Sequence, residues 1–202
     1  MCVAPLEKIV AIPEHRQAIA YAFSRLRSEL SPKLTYHNYW HTKEDVLPGC
    51  RRISSLMGID EEERALLEVS AAFHDIGFVE SNVDHELLGA KIAIQILPTF
   101  GYAKCEIELV TGMILATRLP QSPHNLLEEI LADADLGVLG RPDFLARNAC
   151  LRQELANYGN EIQPKQWYEG QITFLEKHTY FTSAAKMLYD PLKQQNIALL
   201  KE

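Results

Sequence analysis

The sequence predicts an all-α fold, a bundle of about eight to ten helices. Apolar residues recur at helical spacing along most of the chain, and few stretches alternate apolar and polar residues as a half-buried strand does. Runs of β-branched residues are scarce, and proline or glycine stands where the periodic segments end. No segment has the length or the glycine and serine content of a linker, so we expect one domain over residues 1–202.

The first three predicted helices have recognisable start and stop signals. Pro13 opens the first helix and Pro32 stops it. A second helix is predicted over about residues 38–56, with Gly58 as its C-cap. Asp60 is the expected N-cap of the third helix, because the acidic residues that follow it suit the positive end of the helix dipole.

The rest of the chain continues the helical pattern. Pro98 ends the fourth predicted helix, and Gly140 ends the sixth. Between the fifth and the sixth, two prolines within residues 119–123 form a rigid break. These later helices are predicted over about residues 84–97, 103–117, 125–139, 142–158, 164–178 and 180–198.

Composition and charge exclude several classes of protein. The chain has 202 residues, of which 47% are hydrophobic and 23% charged, values typical of a globular protein rather than a disordered one. A net charge of −7 without a long basic cluster argues against polymeric nucleic acid or an anionic membrane as a partner. No apolar stretch reaches the ~18 residues of a membrane-spanning helix, and the N-terminus lacks the pattern of a signal peptide.

The four cysteines are widely spread and form no CxxC pair. We therefore expect Cys2, Cys50, Cys105 and Cys150 to be thiols in a reducing cytosol, rather than disulfides or ligands of a zinc cage. The expected location of the protein is the cytoplasm. The sequence leaves the oligomeric state open, a homodimer included.

Histidines and aspartates within apolar predicted helices carry the functional signal. His41 lies in the second helix, His74 and Asp75 end the third, and Asp133 and Asp135 lie in the sixth. Each group alone indicates little, but burying all of them without partners is costly, and one metal ion would satisfy them together. Imidazole and carboxylate ligands suit Mn²⁺, Fe²⁺, Co²⁺, Ni²⁺ or Zn²⁺. The pattern as a whole therefore predicts a metal site.

The order of these residues resembles the HD-domain superfamily of metal-dependent phosphohydrolases. The resemblance rests on His41, on His74 and Asp75 within the segment Ala-Phe-His-Asp-Ile-Gly-Phe, and on Asp135 within Ala-Asp-Leu. It covers about residues 36–140 and implies a metal core there, with the C-terminal helices as a cover.

Two further segments of the chain strengthen this resemblance. Residues 36–41 are similar to the YHNxxH segment of cyclic-nucleotide phosphodiesterases, which share the metal core. Residues 114–117 together with 132–140 are similar to segments of a group of small bacterial HD proteins. Each motif alone is weak, but their common order is specific.

The resemblance implies that His41, His74, Asp75 and Asp135 are the ligands of a divalent metal, with Mn, Fe, Co, Ni, Zn and Mg as the candidates. Asp135 is preferred to Asp133 because it matches the Ala-Asp-Leu motif. The two side chains point about 200° apart on a helix, so they do not readily share one face. The reverse assignment of the two aspartates stays open.

The implied function is hydrolysis of a small-molecule phosphate ester, expected to be a nucleotide, by metal-activated water. His37 lies four residues before His41, a spacing that places both rings on one face of a helix. By analogy with the phosphodiesterases, His37 is expected to give a proton to the leaving oxygen, and a supporting or surface role is the alternative. His85 is expected in the pocket, as a water-orienting group or a second-metal ligand, and the alternative is a residue at a helix N-terminus without a chemical role. With Asp75, these two histidines are the candidate catalytic residues.

Basic and aromatic residues near the motifs are weaker candidates. Lys43 and Arg118 are the candidate phosphate-binding residues because both are close in sequence to the motifs, and the alternative is that each is a solvated charge. Trp40 and Trp167 are expected in the core rather than in a base-stacking platform.

Two functions of other kinds are compatible with the sequence. An HD-type di-iron oxygenase would use His85 and His124 as extra ligands between the HD dipeptide and the last aspartate. A non-catalytic sensor would bind a nucleotide through the metal without turnover.

Overall fold

The computed structural model describes residues 13–202, so Cys2 and the N-terminal segment inspected for a signal peptide lie outside the described residues. Within that range the chain forms nine α-helices and no strand, as the sequence predicts. In chain order these helices are α1 His15–Glu29, α2 Leu47–Met57, α3 Glu61–Phe73, α4 His85–Ile96, α5 Lys104–Ala116, α6 Leu126–Asp135, α7 Phe144–Asn157, α8 Pro164–Lys177 and α9 Ser183–Lys201.

Several helices begin or end in short turns of different winding, and the turns before α2 and after α6 lie where the sequence predicts α-helix. A π-helical turn, His41–Val46, leads into α2, and 3₁₀ turns Ile76–Val79, Leu97–Phe100 and Leu136–Gly140 follow α3, α4 and α6. His41 begins the π-helical turn, and Asp75 and Asp135 each immediately precede a 3₁₀ turn. The residues with the functional signal thus lie where the helix geometry changes.

Side chains and backbone conformations at the helix ends explain the bounds of the elements. Gly58 ends α2 in the left-handed conformation, with φ 68°. The carboxylate of Asp60 accepts a hydrogen bond from the backbone N–H of Glu63 at 2.8 Å and caps α3. Thr182 caps α9 in the same way, by accepting from the N–H of Ala185 at 3.1 Å.

The core consists of two apolar clusters. In the larger one, α3 packs against α1, α2, α5 and α6, and its buried side chains include Leu67 and Phe73. The smaller cluster joins the turn after α6 to the C-terminal helices through Leu139, Phe144 and Leu175. Burial of these side chains holds the C-terminal helices against the segment that follows Asp135.

The turn that follows Asp75 is packed closely against the start of α4. A Cβ atom on Gly77 would collide with the carbonyl oxygen of His85 and would lie 2.7 Å from the backbone nitrogen of Gly89. Only glycine therefore fits at position 77 without a backbone shift. This close approach brings the first residues of α4 next to the His74-Asp75 dipeptide.

Among the described residues, no helix has both the length and the apolar character needed to cross a membrane. Within the same part of the chain, Cys50, Cys105 and Cys150 are free thiols. The expectation for Trp40 is wrong, because this side chain is 57% exposed, whereas Trp167 is buried.

Candidate metal centre

Four side chains from three separate parts of the chain meet at one buried point. Nε2 of His41 and Nε2 of His74 lie 3.2 Å and 3.5 Å from Oδ1 of Asp135. Oδ2 of Asp75 lies 3.3 Å from Nε2 of His74 and 3.7 Å from Nε2 of His41. Ligands that are ~2.0–2.2 Å from a common ion are separated by about 3–3.5 Å. One ligand atom each from His41, His74 and Asp135 lies within 4.8 Å of the other two, so these three residues could hold one metal ion, and Asp75 adjoins them. We call these four residues the HD cluster.

Unpartnered polar atoms show that the HD cluster suits a cation. Among the described residues, Nε2 of His74 and Oδ2 of Asp75 have no hydrogen-bond partner, although both atoms are buried. Nδ1 of His74 donates to the carbonyl oxygen of Ala71 at 2.8 Å, because that oxygen can only accept. Nε2 of His74 therefore directs its lone pair at the cluster, as a metal ligand does.

The charges of the HD cluster favour a cation as well. Burial raises the pKa of Asp75 and Asp135, but the neighbouring imidazoles outweigh burial and hold both pKa values well below the ordinary range. Burial lowers the pKa of His41, but its contacts with the carboxylates of Asp135 and Asp45 raise it to about 9. The carboxylates therefore stabilise positive charge at this point, and a divalent metal supplies that charge in place of protons.

Asn38 determines the position of His41. Its Oδ1 accepts hydrogen bonds from the backbone N–H of Trp40 at 2.9 Å and of His41 at 3.3 Å. Its Nδ2 donates to the carbonyl oxygen of Thr35 at 3.0 Å. Asn38 thus caps the start of the helical segment in which His41 lies.

The carboxylate of Asp45, which no sequence motif indicates, lies on the side of His41 opposite the HD cluster. Oδ2 of Asp45 is 3.7 Å from Nδ1 of His41, and the Asp45 carboxylate accepts from Arg141 and Arg147 at 2.5 Å each. Burial raises the pKa of Asp45, but the contacts with His41 and Arg141 outweigh burial and lower it to about 2. An ionised carboxylate therefore orients the ring of His41 from the side opposite the cluster.

The two aspartates of α6 have different partners. Asp135 contributes an oxygen to the HD cluster. Asp133 accepts hydrogen bonds from the backbone N–H groups of Phe181 and Thr182, both at 2.8 Å, and from the hydroxyl of Thr182 at 2.7 Å. Asp133 therefore fastens the start of α9 to α6 and does not face the cluster.

His37 is held by a glutamate of α7. Nδ1 of His37 lies 2.5 Å from Oε1 of Glu154, whose other oxygen accepts from the backbone N–H groups of Tyr36 and His37 at 2.8 and 2.9 Å. Burial raises the pKa of Glu154, but its contacts with His37 outweigh burial and lower it. His37 lies before the helical segment, not on one helix with His41 as the spacing suggests, yet the ring centroids of His37 and His41 are only 5.8 Å apart.

His85, the first residue of α4, lies beside the HD cluster. Its Nε2 is 3.7 Å from Oδ1 of Asp75 and 3.4 Å from Oε1 of Glu86. The ring stacks on Phe78 with centroids 3.9 Å apart, and the ring of His37 stacks on Phe78 at 4.8 Å. Burial lowers the pKa of His85, so a neutral imidazole is favoured there.

A cavity of about 350 Å³ extends from the HD cluster. Its polar end is lined by Tyr36, His37, Asp75, His85, Glu86 and Asp135. Apolar side chains of the segment from α5 to α7 form part of the wall, namely Leu119, Leu136, Val138 and Leu139. The C-terminal helices α7 and α8 complete the wall with Phe144, Leu151, Leu155, Trp167 and Phe174. The cavity thus joins a charged end to an apolar one.

Three sequence-predicted residues lie outside this cavity. Nζ of Lys43 lies over the rings of Tyr39 and Trp40, at 5.4 and 5.5 Å from their centroids. Arg118 is half exposed and bonds to Asp84 at 2.7 Å, and the His124 side chain is 80% exposed. Lys43 and Arg118 therefore lie away from the HD cluster, although both are close in sequence to its motifs.

The comparisons with known proteins agree with this architecture. No family model and no curated protein matches the chain. A crystal structure of a predicted HD superfamily hydrolase from an uncultured Thermotogales bacterium matches it over 98% of this chain and 96% of that chain. The two are 21% identical in sequence, and the TM-score is 0.65.

The chain has the same fold as that predicted HD superfamily hydrolase. The sequence-based prediction of an all-α HD-type bundle is therefore confirmed. The other residues that build the site of this HD fold, Asp45, Arg147 and Glu154, had no signal in the sequence, because each lies among the ordinary charges of an amphipathic segment.

Proposed function

We propose that this chain is a metal-dependent phosphohydrolase that cleaves a small-molecule phosphate ester. The observation that carries the proposal is the convergence of His41, His74, Asp75 and Asp135 on one point, where the imidazole nitrogens lie 3.2–3.7 Å from the carboxylate oxygens. The fold similarity to a predicted HD superfamily hydrolase supports the hydrolase class. The candidate metals are Mn, Fe, Co, Ni, Zn and Mg, and a nucleotide is one candidate ester.

The HD cluster would hold the metal through two imidazole nitrogens and two carboxylate oxygens. When bound, a divalent ion lowers the pKa of a water ligand toward neutrality and polarises a phosphoryl oxygen. In the overall reaction a bond forms between the water oxygen and phosphorus, and the bond between phosphorus and the ester oxygen breaks. The leaving oxygen takes a proton; a monoester gives an alcohol and inorganic phosphate, and a diester gives an alcohol and a phosphate monoester.

His37 supplies the proton to the leaving oxygen. Because Glu154 holds Nδ1 at 2.5 Å, the other ring nitrogen is the one that is available in the cavity that His37 lines. The ionised Glu154 fixes the ring orientation and stabilises the protonated imidazole until the proton is given up. Glu154 is thus a positioning residue and His37 the proton donor.

His85 and Asp75 orient the attacking water. Since burial favours neutral His85, its ring accepts a hydrogen bond, and Oδ1 of Asp75 lies 3.7 Å from its Nε2. Arg147, which lines the cavity, binds the phosphate in this proposal, rather than Lys43 or Arg118. We place this reaction in the cytoplasm, in keeping with the thiol content of the chain.

Release of inorganic phosphate from monoesters, and formation of a nucleoside monophosphate from cyclic nucleotides, test the proposal. We would load the protein with Mn²⁺, Co²⁺, Mg²⁺ or Fe²⁺ and offer p-nitrophenyl phosphate, sugar phosphates, cyclic nucleotides and nucleoside mono-, di- and triphosphates. We expect turnover of at least one ester that is lost in D75A. If the metal-loaded protein cleaves none of them, the proposal is wrong, and two irons per chain with oxygen-dependent absorption would support an oxygenase instead.

A further inference from the structure

We propose that the substrate of this site is a phosphate monoester whose organic part is apolar, an alkyl chain or an aryl ring that lies between α7, α8 and the turn Leu136–Gly140. The inference rests on the proposed phosphohydrolase function and narrows its substrate class. It follows from what the cavity offers beyond the HD cluster: an apolar wall, few charges and a limited volume.

The wall of the cavity that lies away from the HD cluster is apolar and has few groups that could bind a polar ligand. Phe144, Val138 and Leu139 are buried, and Leu151 and Phe174 complete an apolar surface. Such a surface gains free energy from apolar groups that leave water, and it penalises hydroxyl groups that lose their hydrogen bonds there.

The polar atoms that do lie in this wall already bond to one another. The indole N–H of Trp167 donates to Oδ1 of Asn148 at 2.6 Å. Nδ2 of Asn148 donates to Oε1 of Gln171 at 2.5 Å. This chain of hydrogen bonds leaves few free donors and acceptors for the hydroxyls of a sugar.

Charge favours a single phosphate over a polyphosphate. Among the lining residues that the structure describes, Arg147 is the one Lys or Arg, and its guanidinium already bonds to Asp45 at 2.5 Å. Three carboxylates, Asp75, Glu86 and Asp135, line the polar end. With a divalent ion held by Asp75 and Asp135, the extra phosphates of a nucleoside triphosphate would lie near Glu86 and would find no Lys or Arg among these lining residues besides Arg147.

The volume suits a small apolar group. A dry apolar cavity of about 150 Å³ is enough to hold benzene. The cavity here has about 350 Å³, enough for a phenyl ring or a chain of about six carbons beside a phosphoryl group. Leu119, which lines the cavity and is 57% exposed, provides an apolar edge at the surface.

A series of esters tests the inference without any change to the protein. We would measure kcat/KM for methyl, ethyl, butyl and hexyl phosphate, with AMP as the polar monoester. Burial of each methylene should raise kcat/KM about threefold, so hexyl phosphate should exceed ethyl phosphate about 100-fold. We expect AMP to fall below hexyl phosphate. Equal values along the series, or AMP as the best ester, would overturn the inference.

Two matched substitutions on α7 locate the effect. Leu151 lines the cavity, whereas Leu145 lies on the same helix and is 45% exposed. We expect L151N to lower kcat/KM for hexyl phosphate at least tenfold, to change methyl phosphate little, and L145N to change neither. Melting temperatures show whether L151N is folded, and L155N, which also alters the wall, replaces it if it is not. Equal losses for both esters in the wall variant would contradict the inference.

A binding measurement separates this inference from the proposed function. Calorimetry with hexylphosphonate and methylphosphonate, which are not cleaved, reports the apolar contribution without turnover. If no ester is hydrolysed but hexylphosphonate binds at least tenfold more tightly, the phosphohydrolase proposal fails and the apolar site stands. If esters are hydrolysed but the two phosphonates bind equally, the apolar site fails and the phosphohydrolase stands.

Discussion

The two ends of the cavity are built in different ways. The polar end consists of a few side chains whose imidazole nitrogens and carboxylate oxygens are held 3.2–3.7 Å apart by helix turns and hydrogen bonds. The apolar end is a surface to which α7, α8 and the turn Leu136–Gly140 each add one or a few ordinary apolar residues. The proposed chemistry therefore depends on individual residues at fixed spacing, whereas the proposed fit of a substrate depends on an apolar surface to which several elements contribute.

The largest effect is expected from loss of a residue of the HD cluster. H74A or D75A should reduce the metal content from one ion per chain to none and should lower turnover at least 10³-fold, because the remaining groups cannot hold the ion. Elemental analysis and phosphate release measure both quantities. D190A, a change at a half-exposed aspartate of α9, is the control and should leave both unchanged. Metal retained in D75A would remove Asp75 from the site.

The two aspartates of α6 provide a matched pair. D135N should release the metal and leave the fold intact, whereas D133N should keep the metal and lower the free energy of unfolding by about 1–3 kcal/mol, because Asp133 is the buried acceptor at the start of α9. Metal analysis and urea unfolding of both variants measure the contrast. The opposite result, with metal lost only in D133N, would reverse the assignment.

A smaller effect is expected from changes to His37, the proposed proton donor, and Glu154, which positions it. H37A should lower kcat about 10²-fold with the metal retained, because a positioned proton donor contributes about that much. E154Q should lower kcat about tenfold and leave KM and metal content near the wild-type values, since Gln still accepts from the backbone of Tyr36 and His37 but loses the charge. Loss of metal in H37A would instead make His37 a ligand.

The helices could be predicted from the sequence, whereas the local geometry at the polar end of the cavity could not. Helical periodicity and caps such as Gly58 and Asp60 predict the helices, because these signals are local. The π-helical turn at His41 and the position of His37 before it could not be predicted, since both result from packing and from the bonds of Asn38.

Contacts between residues that are far apart along the chain could not be predicted for a related reason. Glu154 lies 117 residues from His37 along the chain, and on an amphipathic helix a glutamate looks like any solvated charge. Trp167 and Leu151 resemble core residues and become a cavity wall only when α7 and α8 are folded over the turn after α6. No local pattern distinguishes a wall from a core.

The smallest effect is expected at His178, a histidine between α8 and α9 that lies outside the HD cluster. Burial, together with the charge of Lys193, lowers the pKa of His178 to about 4. The unfolded chain takes up this proton near its ordinary pKa of about 6.5, so stability is complete above that pH and is lost as the pH falls toward 4. Because His178 is partly exposed, we expect a loss of at most about 2 kcal/mol.

Urea unfolding of the wild type and of H178Q at pH 7.0, 5.5 and 4.5 measures this contribution. The variant should be less sensitive to acid than the wild type, because glutamine has no proton to take up. Other titrating groups are common to both proteins, so they cancel in the difference. Equal losses of stability in the two proteins would show that His178 does not titrate as a buried neutral base.

Removal and return of the metal tests the central claim most directly. Phosphate release from p-nitrophenyl phosphate would be followed in the purified protein, after treatment with a chelator and dialysis, and after addition of one equivalent of Mn²⁺. We predict that release stops when the metal is removed and returns when one ion binds to each chain. Release that persists in metal-free protein, or a protein that binds one ion and cleaves no ester, would contradict the account.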